Sequence, residues 1–124
     1  MMIFFFLKSV DKCIQFLRKN NKFVSANGYT FLHSDYKRTN KGLFSLYKLG
    51  GKKNKSNLGY NNVTRIKNFM NGKISQNLYA VCKTTAYKKA QSKIYYMSKG
   101  QGTGEYDELL FNILILNYGK SKFL

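Results

Sequence analysis

Acidic side chains are scarce in this sequence: five Asp and Glu stand against 22 Lys and Arg in 124 residues, a formal charge of +17. Solubility needs far less, so the imbalance calls for a polyanion. Cysteine is nearly absent too. Cys13 and Cys82 lie far apart with no second ligand pair, which excludes a disulfide framework or a zinc site and predicts two reduced, partly buried thiols. His33 is the single histidine and has no cysteine or second histidine to build a metal centre with. No run approaches the ~20 apolar residues that span a bilayer. The opening Ile3-Phe4-Phe5-Phe6-Leu7 is short and is followed by Lys8 and Asp11, a poor signal peptide and unlike an Arg- and Ser-rich transit sequence. Stable membrane insertion is not expected, and a protein of this kind working in an organelle would be made there.

Proline is missing altogether, arginine occurs only at positions 18, 38 and 65, and alanine only at 26, 80, 86 and 90. Lysine, asparagine, phenylalanine, tyrosine and isoleucine, the residues with A/T-rich codons, take their place. The gene therefore reads as that of an A/T-rich genome such as an organelle's or a parasite's. Codon bias does not explain the missing acids, whose codons also contain adenine. What is present is enough for a fold: 44% of residues are hydrophobic and 16% aromatic. A disordered basic tail would be far less apolar. The length suits one domain with a modest core.

Along the chain, residues 3–19 carry apolar side chains at helical spacing, with Lys8, Lys12, Arg18 and Lys19 between them, and predict an amphipathic helix ending near Asn20-Asn21. Residues 1–25 thus read as a helical extension, and 26–124 as a single α/β domain. Tyr29 to His33 predicts a strand, Lys37 to Gly42 a hairpin turn and Leu43 to Leu49 the return strand. Residues 52–57 have no apolar period and predict an exposed basic loop. Val63 to Met70 suits a short helical turn stopped by Asn71-Gly72. Leu78, Val81, Cys82, Thr85, Ala86 and Ala90 predict a helix over 75–91, and Lys93 to Ser98 a compact strand. After Lys99-Gly100-Gln101-Gly102-Thr103-Gly104, a strongly apolar helix follows to Tyr118-Gly119. Its start collects Glu105, Asp107 and Glu108, which the unpaired N–H groups of a first turn stabilise.

The glycine-spaced loop is of the type that lets a phosphate approach the backbone at Gly100, Gly102 and Gly104 beside Lys99, and a plain tight turn accounts for it at least as well. It is neither a Walker loop nor a dinucleotide fingerprint, and the carboxylates behind it would repel a free mononucleotide. Lys52, Lys53 and Lys55 have no acid within ten residues on either side, so phosphate contact outweighs a merely solvated loop. Lys37, Arg38 and Lys41 at the hairpin tip belong with them, as do Arg65 and Lys67. Tyr29, Phe31, Tyr36 and Phe44 read better as the inner face of a sheet than as a base-stacking platform. Asp35 with Glu105 and Asp107 could in principle assemble a two-metal nuclease centre, but one acid per element is thin support. The expectation is therefore no catalytic residue, no metal, no cofactor and no small-molecule substrate.

In order and spacing, Thr30-Phe31-Leu32-His33-Ser34-Asp35, Asn40-Lys41-Gly42, Leu49-Gly50-Gly51, a basic loop, a helix, a strand and Lys99-Gly100-Gln101-Gly102-Thr103-Gly104 resemble the universal ribosomal small-subunit protein S-eleven, the platform protein. The likeness covers positions 30–119. It departs at Glu105-Tyr106, where the family has Arg-Glu, in a longer basic loop, in a missing Thr-Pro and in the absence of a Pro-rich basic tail. The resemblance implies a small mixed sheet with packed helices in a ribonuclease H-like-motif architecture, to which this chain adds its N-terminal helix. It implies an organelle-encoded ribosomal constituent, most naturally mitochondrial, binding small-subunit rRNA and supporting translation. Neighbouring ribosomal proteins would be partners, with the N-terminal helix docking on one of them. The rival readings are a nucleoid-type basic protein that binds nucleic acid without specificity, a membrane-peripheral protein anchored by residues 2–19, and a ribonuclease H-like nuclease.

Overall fold

Phe23-Val24-Ser25-Ala26-Asn27 is the strand on which the fold is built. In the computed structural model, which describes residues 2–4, 7–28, 30–34, 45–49, 55–72, 80–100 and 105–124, this strand (β2) is the middle of a three-stranded mixed sheet. It pairs antiparallel with β5 (Val81–Cys82) and parallel with β6 (Lys120–Phe123). A second sheet, of β1 (Met2–Phe4), β3 (Thr30–Ser34) and β4 (Ser45–Leu49), is antiparallel throughout, with β3 central. Among the described residues there are four helices: α1 (Leu7–Lys19), α2 (Asn62–Met70), α3 (Thr84–Met97) and α4 (Glu105–Tyr118). The chain is thus α/β with a small mixed sheet and packed helices.

The core forms where helices meet β2. Adjacent strand residues point to opposite faces, so Phe23 and Val24 serve different helices. Cys13, Phe16 and Leu17 of α1 pack with Phe23, Ala26 and Val81. Val24 packs instead with Ala86, Ala90 and Ile94 of α3 and with Phe111 and Ile115 of α4. Strict alternation would put Ala26 on the Val24 side. A register shift against β6 between Phe23 and Ser25 breaks that alternation, the usual effect of a bulge. Ser25 and Ser121, paired across β2 and β6, are fully buried; small side chains fit where two strands are covered closely.

The β3–β4 hairpin pairs Thr30 with Leu49 through to Ser34 with Ser45, as the sequence leads one to expect. Helix α2 starts on Asn61, whose side-chain oxygen accepts from Thr64 N at 2.8 Å, and its C-cap is Asn71. Helix α4 begins at Glu105, so the acidic residues do lie in its first turn. Its inward residues are Phe111, Ile115 and Leu116, while Leu109 is exposed.

Several expectations are corrected. In place of the predicted strand over 93–98, residues 93–97 are the last part of α3 and Ser98 is its C-cap. Ile94 continues the row Ala86–Ala90–Ile94 at intervals of four, and burial of that row against Phe111 and Ile115 overrides the β preference of Ile94-Tyr95-Tyr96. Of the predicted helix over 75–91, residues 75–79 lie outside the described residues, Val81 and Cys82 pair with β2 as β5, and α3 begins at Thr84. Residues 2–4 form β1 rather than the start of a helix. The boundary expected between residues 25 and 26 falls inside β2. Cys13, Phe16 and Leu17 of α1 pack on β2, so this part of its apolar face is used within the chain, while Leu7 at its start is exposed.

Gly119 sets the joint between α4 and β6. A Cβ there would lie 2.6 Å from Val24 Cγ1 and 3.0 Å from Lys22 O, the carbonyl that accepts from Lys120 N. Gly119→Ala should therefore destabilise the fold by about 1–3 kcal/mol, the usual cost of overpacking, read as a lower urea midpoint at unchanged slope. Both cysteines are free. Burial pushes the Cys13 thiol up, and the Cys82 thiol from 9.0 up to about 11. Above about pH 9 the unfolded chain releases the Cys82 proton while the folded chain keeps it, so this group's contribution to stability falls as pH rises towards about 11. Wild-type stability should drop relative to that of Cys82→Ala across this window, measured by urea unfolding at its two ends.

Candidate nucleic-acid interface

In a chain this short of acids, an inward-pointing cation must find some other oxygen. Arg65, on α2, is buried, with 8% of its surface exposed. Its Nε donates to Leu116 O at 2.7 Å and its Nη1 to Gly59 O at 3.1 Å, while Nη2 reaches Asn117 O at 3.5 Å. Two of those carbonyls belong to the last turn of α4, where unpaired C=O groups carry the negative end of the helix dipole. Burial lowers the pKa of the guanidinium from its ordinary value. Asn57 completes the arrangement: its Nδ2 donates to Arg65 O at 2.7 Å, and its backbone pairs both ways with Ser121 at 2.8 and 3.1 Å. Gly59 leaves room for this approach, since a Cβ there would stand 2.9 Å from Arg65 N.

This hub relocates two sequence-based assignments. Arg65, expected to face RNA, is a cap on α4. The basic loop is not free along its whole length either, because Asn57 is buried and Ser56 Oγ accepts from Phe123 N at 2.9 Å. Lys55 remains exposed just ahead of that anchor. On α2, Lys67 points to solvent while Arg65, two residues earlier and so on another side of the helix, points in. Lys99 and Gly100 are exposed at the end of α3. Lys37, Arg38, Lys41, Lys52, Lys53, Gly102 and Gly104 lie outside the described residues, as do Asp35, Tyr29, Tyr36 and Phe44. Phe31 and His33 are in β3, opposite Phe4 and Met2 of β1.

The cations that do face water are numerous. Lys8, Lys12, Arg18, Lys19, Lys22, Lys55, Lys67, Lys88, Lys89, Lys93 and Lys99 are all exposed. Lys83 is half-buried and repeats the Arg65 device, its Nζ donating to Asn20 O at 3.2 Å and Asn21 O at 3.4 Å just beyond α1. Among the described residues no group of three or more His, Cys, Asp or Glu could hold a metal ion, and no helix is long and apolar enough to cross a membrane. The arrangement suits polyanion contact through many exposed ammonium groups. The chain matches no protein-family model, no curated protein and no solved structure.

Arg65→Met should lower stability by about 2–4 kcal/mol, since hydrogen bonds to a charged donor are lost and buried carbonyls are left unpaired. Nucleic-acid affinity of the folded fraction, measured well below the unfolding midpoint, should stay at the wild-type value. Lys67→Gln should do the reverse, leaving the unfolding midpoint in place and weakening binding with a shallower salt dependence.

Proposed function

We propose that this chain is a non-catalytic, RNA-binding structural protein of the small ribosomal subunit, of the S-eleven platform type, with that family's ribonuclease H-like motif as its architecture. The observation that carries the RNA-binding part is the outward placement of lysine on a folded, acid-poor body. Such a surface positions a protein on folded RNA through phosphates, with shape and unpaired bases adding specificity. The ribosomal part rests on the order of hairpin, basic segment, helix, Lys99-Gly100-Gln101-Gly102-Thr103-Gly104 and final helix. The helical state of residues 93–97 is a departure from that pattern. Codon-biased composition favours an A/T-rich organelle, the mitochondrion first, as the place of synthesis and work. Small-subunit rRNA and adjacent ribosomal proteins are the partners, and no cofactor or small-molecule substrate enters.

Sedimentation of a lysate through sucrose at moderate and high salt tests this reading. Co-migration with the small subunit that survives high salt is the expected result. Release at modest salt, with equal affinity for any duplex, would replace the ribosomal reading with that of a nucleoid-type protein. Magnesium-dependent cleavage abolished by Asp35→Asn would instead establish a nuclease.

A further inference from the structure

Because residues 84–97 are one helix, the side chains after Lys83 are arranged differently from what a helix followed by a strand would give. Ala86, Ala90 and Ile94 face the core. With 3.6 residues per turn, Lys88, Ser92, Tyr95 and Tyr96 then fall on the opposite, solvent side, and Lys99 follows just past the end. Tyr95 is 71% exposed and Tyr96 84%. Two adjacent phenol rings left in water on the outer side of a helix are unlike scattered apolar exposure and mark a contact surface. Lys88, Lys89, Lys93 and Lys99 surround them, and no acid occurs between Lys83 and Gly100. Asp107 and Glu108 stand on α4, which meets α3 through Phe111 and Ile115 on the core side.

The end of α3 adds an independent sign. Gly100 N donates to Tyr95 O at 3.0 Å and Lys99 N reaches Tyr96 O at 3.4 Å, the pairing of a Schellman cap. The residue in the left-handed position of that cap is Lys99, at φ 51°, where glycine is the unstrained choice. A lysine is held there against its backbone preference, which locates strain beside the exposed tyrosines. The Tyr95 ring is in turn steadied against the same turn: a Cβ built on Gly100 would lie 3.2 Å from its Cε2 and its hydroxyl oxygen.

We propose that the solvent side of α3, from Lys88 through Tyr95 and Tyr96 to Lys99, is an RNA-contact surface in its own right, taking an unpaired strand whose bases stack on the two tyrosines while the flanking lysines hold its phosphates. This rests on the RNA-binding reading above. Lys88 and Met97, the last residue of α3, are about 14 Å apart by the helical rise, the span of a short stretch of strand. Ring stacking tolerates any base, and charge complementarity favours RNA over a protein partner.

The test is fluorescence anisotropy of the full chain with a short labelled single-stranded RNA and, separately, an RNA duplex, over a range of salt. The double variant Tyr95→Leu/Tyr96→Leu keeps helix-forming, apolar side chains and should bind the single strand at least about ten-fold more weakly, with little change on duplex. Lys99→Gly should unfold at the same or a higher temperature, yet bind the single strand more weakly with a salt slope shallower by about one. Should the tyrosine variant fold poorly, Lys88→Gln/Lys89→Gln on the same exposed surface provides the parallel readout. Wild-type protein that binds no RNA sinks the RNA-binding function and this surface together. Wild-type binding that survives all of these substitutions overturns the α3 surface alone.

Discussion

The Arg65 guanidinium, held by carbonyl oxygens at the end of α4, is the interaction on which the rest of the structure leans. With five acids in the chain and three of them at the start of α4, carboxylates are scarce as partners for inward cations. The fold uses neutral oxygens instead, and chooses those where helix geometry already concentrates negative partial charge. Arg65 does this for α4 and Lys83 for the chain leaving α1. Through Arg65, Asn57 and Ser121, helix α2, the last turn of α4 and strand β6 are tied to one point. Removing cations indiscriminately from such a protein would weaken the body as well as the surface.

That division of labour explains why the body can be folded and highly charged at once. Each helix that touches β2 does so through a narrow row of small or aliphatic residues: Cys13 and Leu17, Ala86 to Ile94, Phe111 and Ile115. Alanine at positions 86 and 90 lets α3 approach closely, so few positions are needed inside and many remain for lysine outside. The four alanines of the sequence, spared by a composition that elsewhere avoids them, include three in the core: Ala26, Ala86 and Ala90.

The parts legible in the sequence were those whose signals are local. The hairpin of β3 and β4, the Asn-capped α2 and the acidic start of α4 each carry their own turn or cap chemistry. The parts that were not legible depend on neighbours distant in the chain. Strand β2 has a serine and an asparagine among its five residues, and β6 has two lysines in four, so neither shows an apolar run. They become strands because pairing with each other satisfies their backbones under a cover of helices. Residues 93–97 carry a strand's composition, and only the docking of Ile94 beside Ala90 decides for helix. For the interface, lysine exposure followed from charge alone, whereas the inward turn of Arg65 did not, since arginine and lysine are equivalent in a count of charge. The outward tyrosines were hidden by the same error that made residues 93–98 a strand.

The parallel pairing of β2 with β6 joins residues 23–27 to residues 120–123, across most of the length of the sequence. Contacts of such long reach slow folding, because loop closure must precede any gain from the pairing. During synthesis the central strand is made early and then waits, with β6 still to come, while the lysines already emerged repel one another. An RNA that engages those lysines would relieve the repulsion and hold the ends of the fold near each other. The topology therefore makes closure of the central sheet a late step of folding, one that waits for residues 120–123.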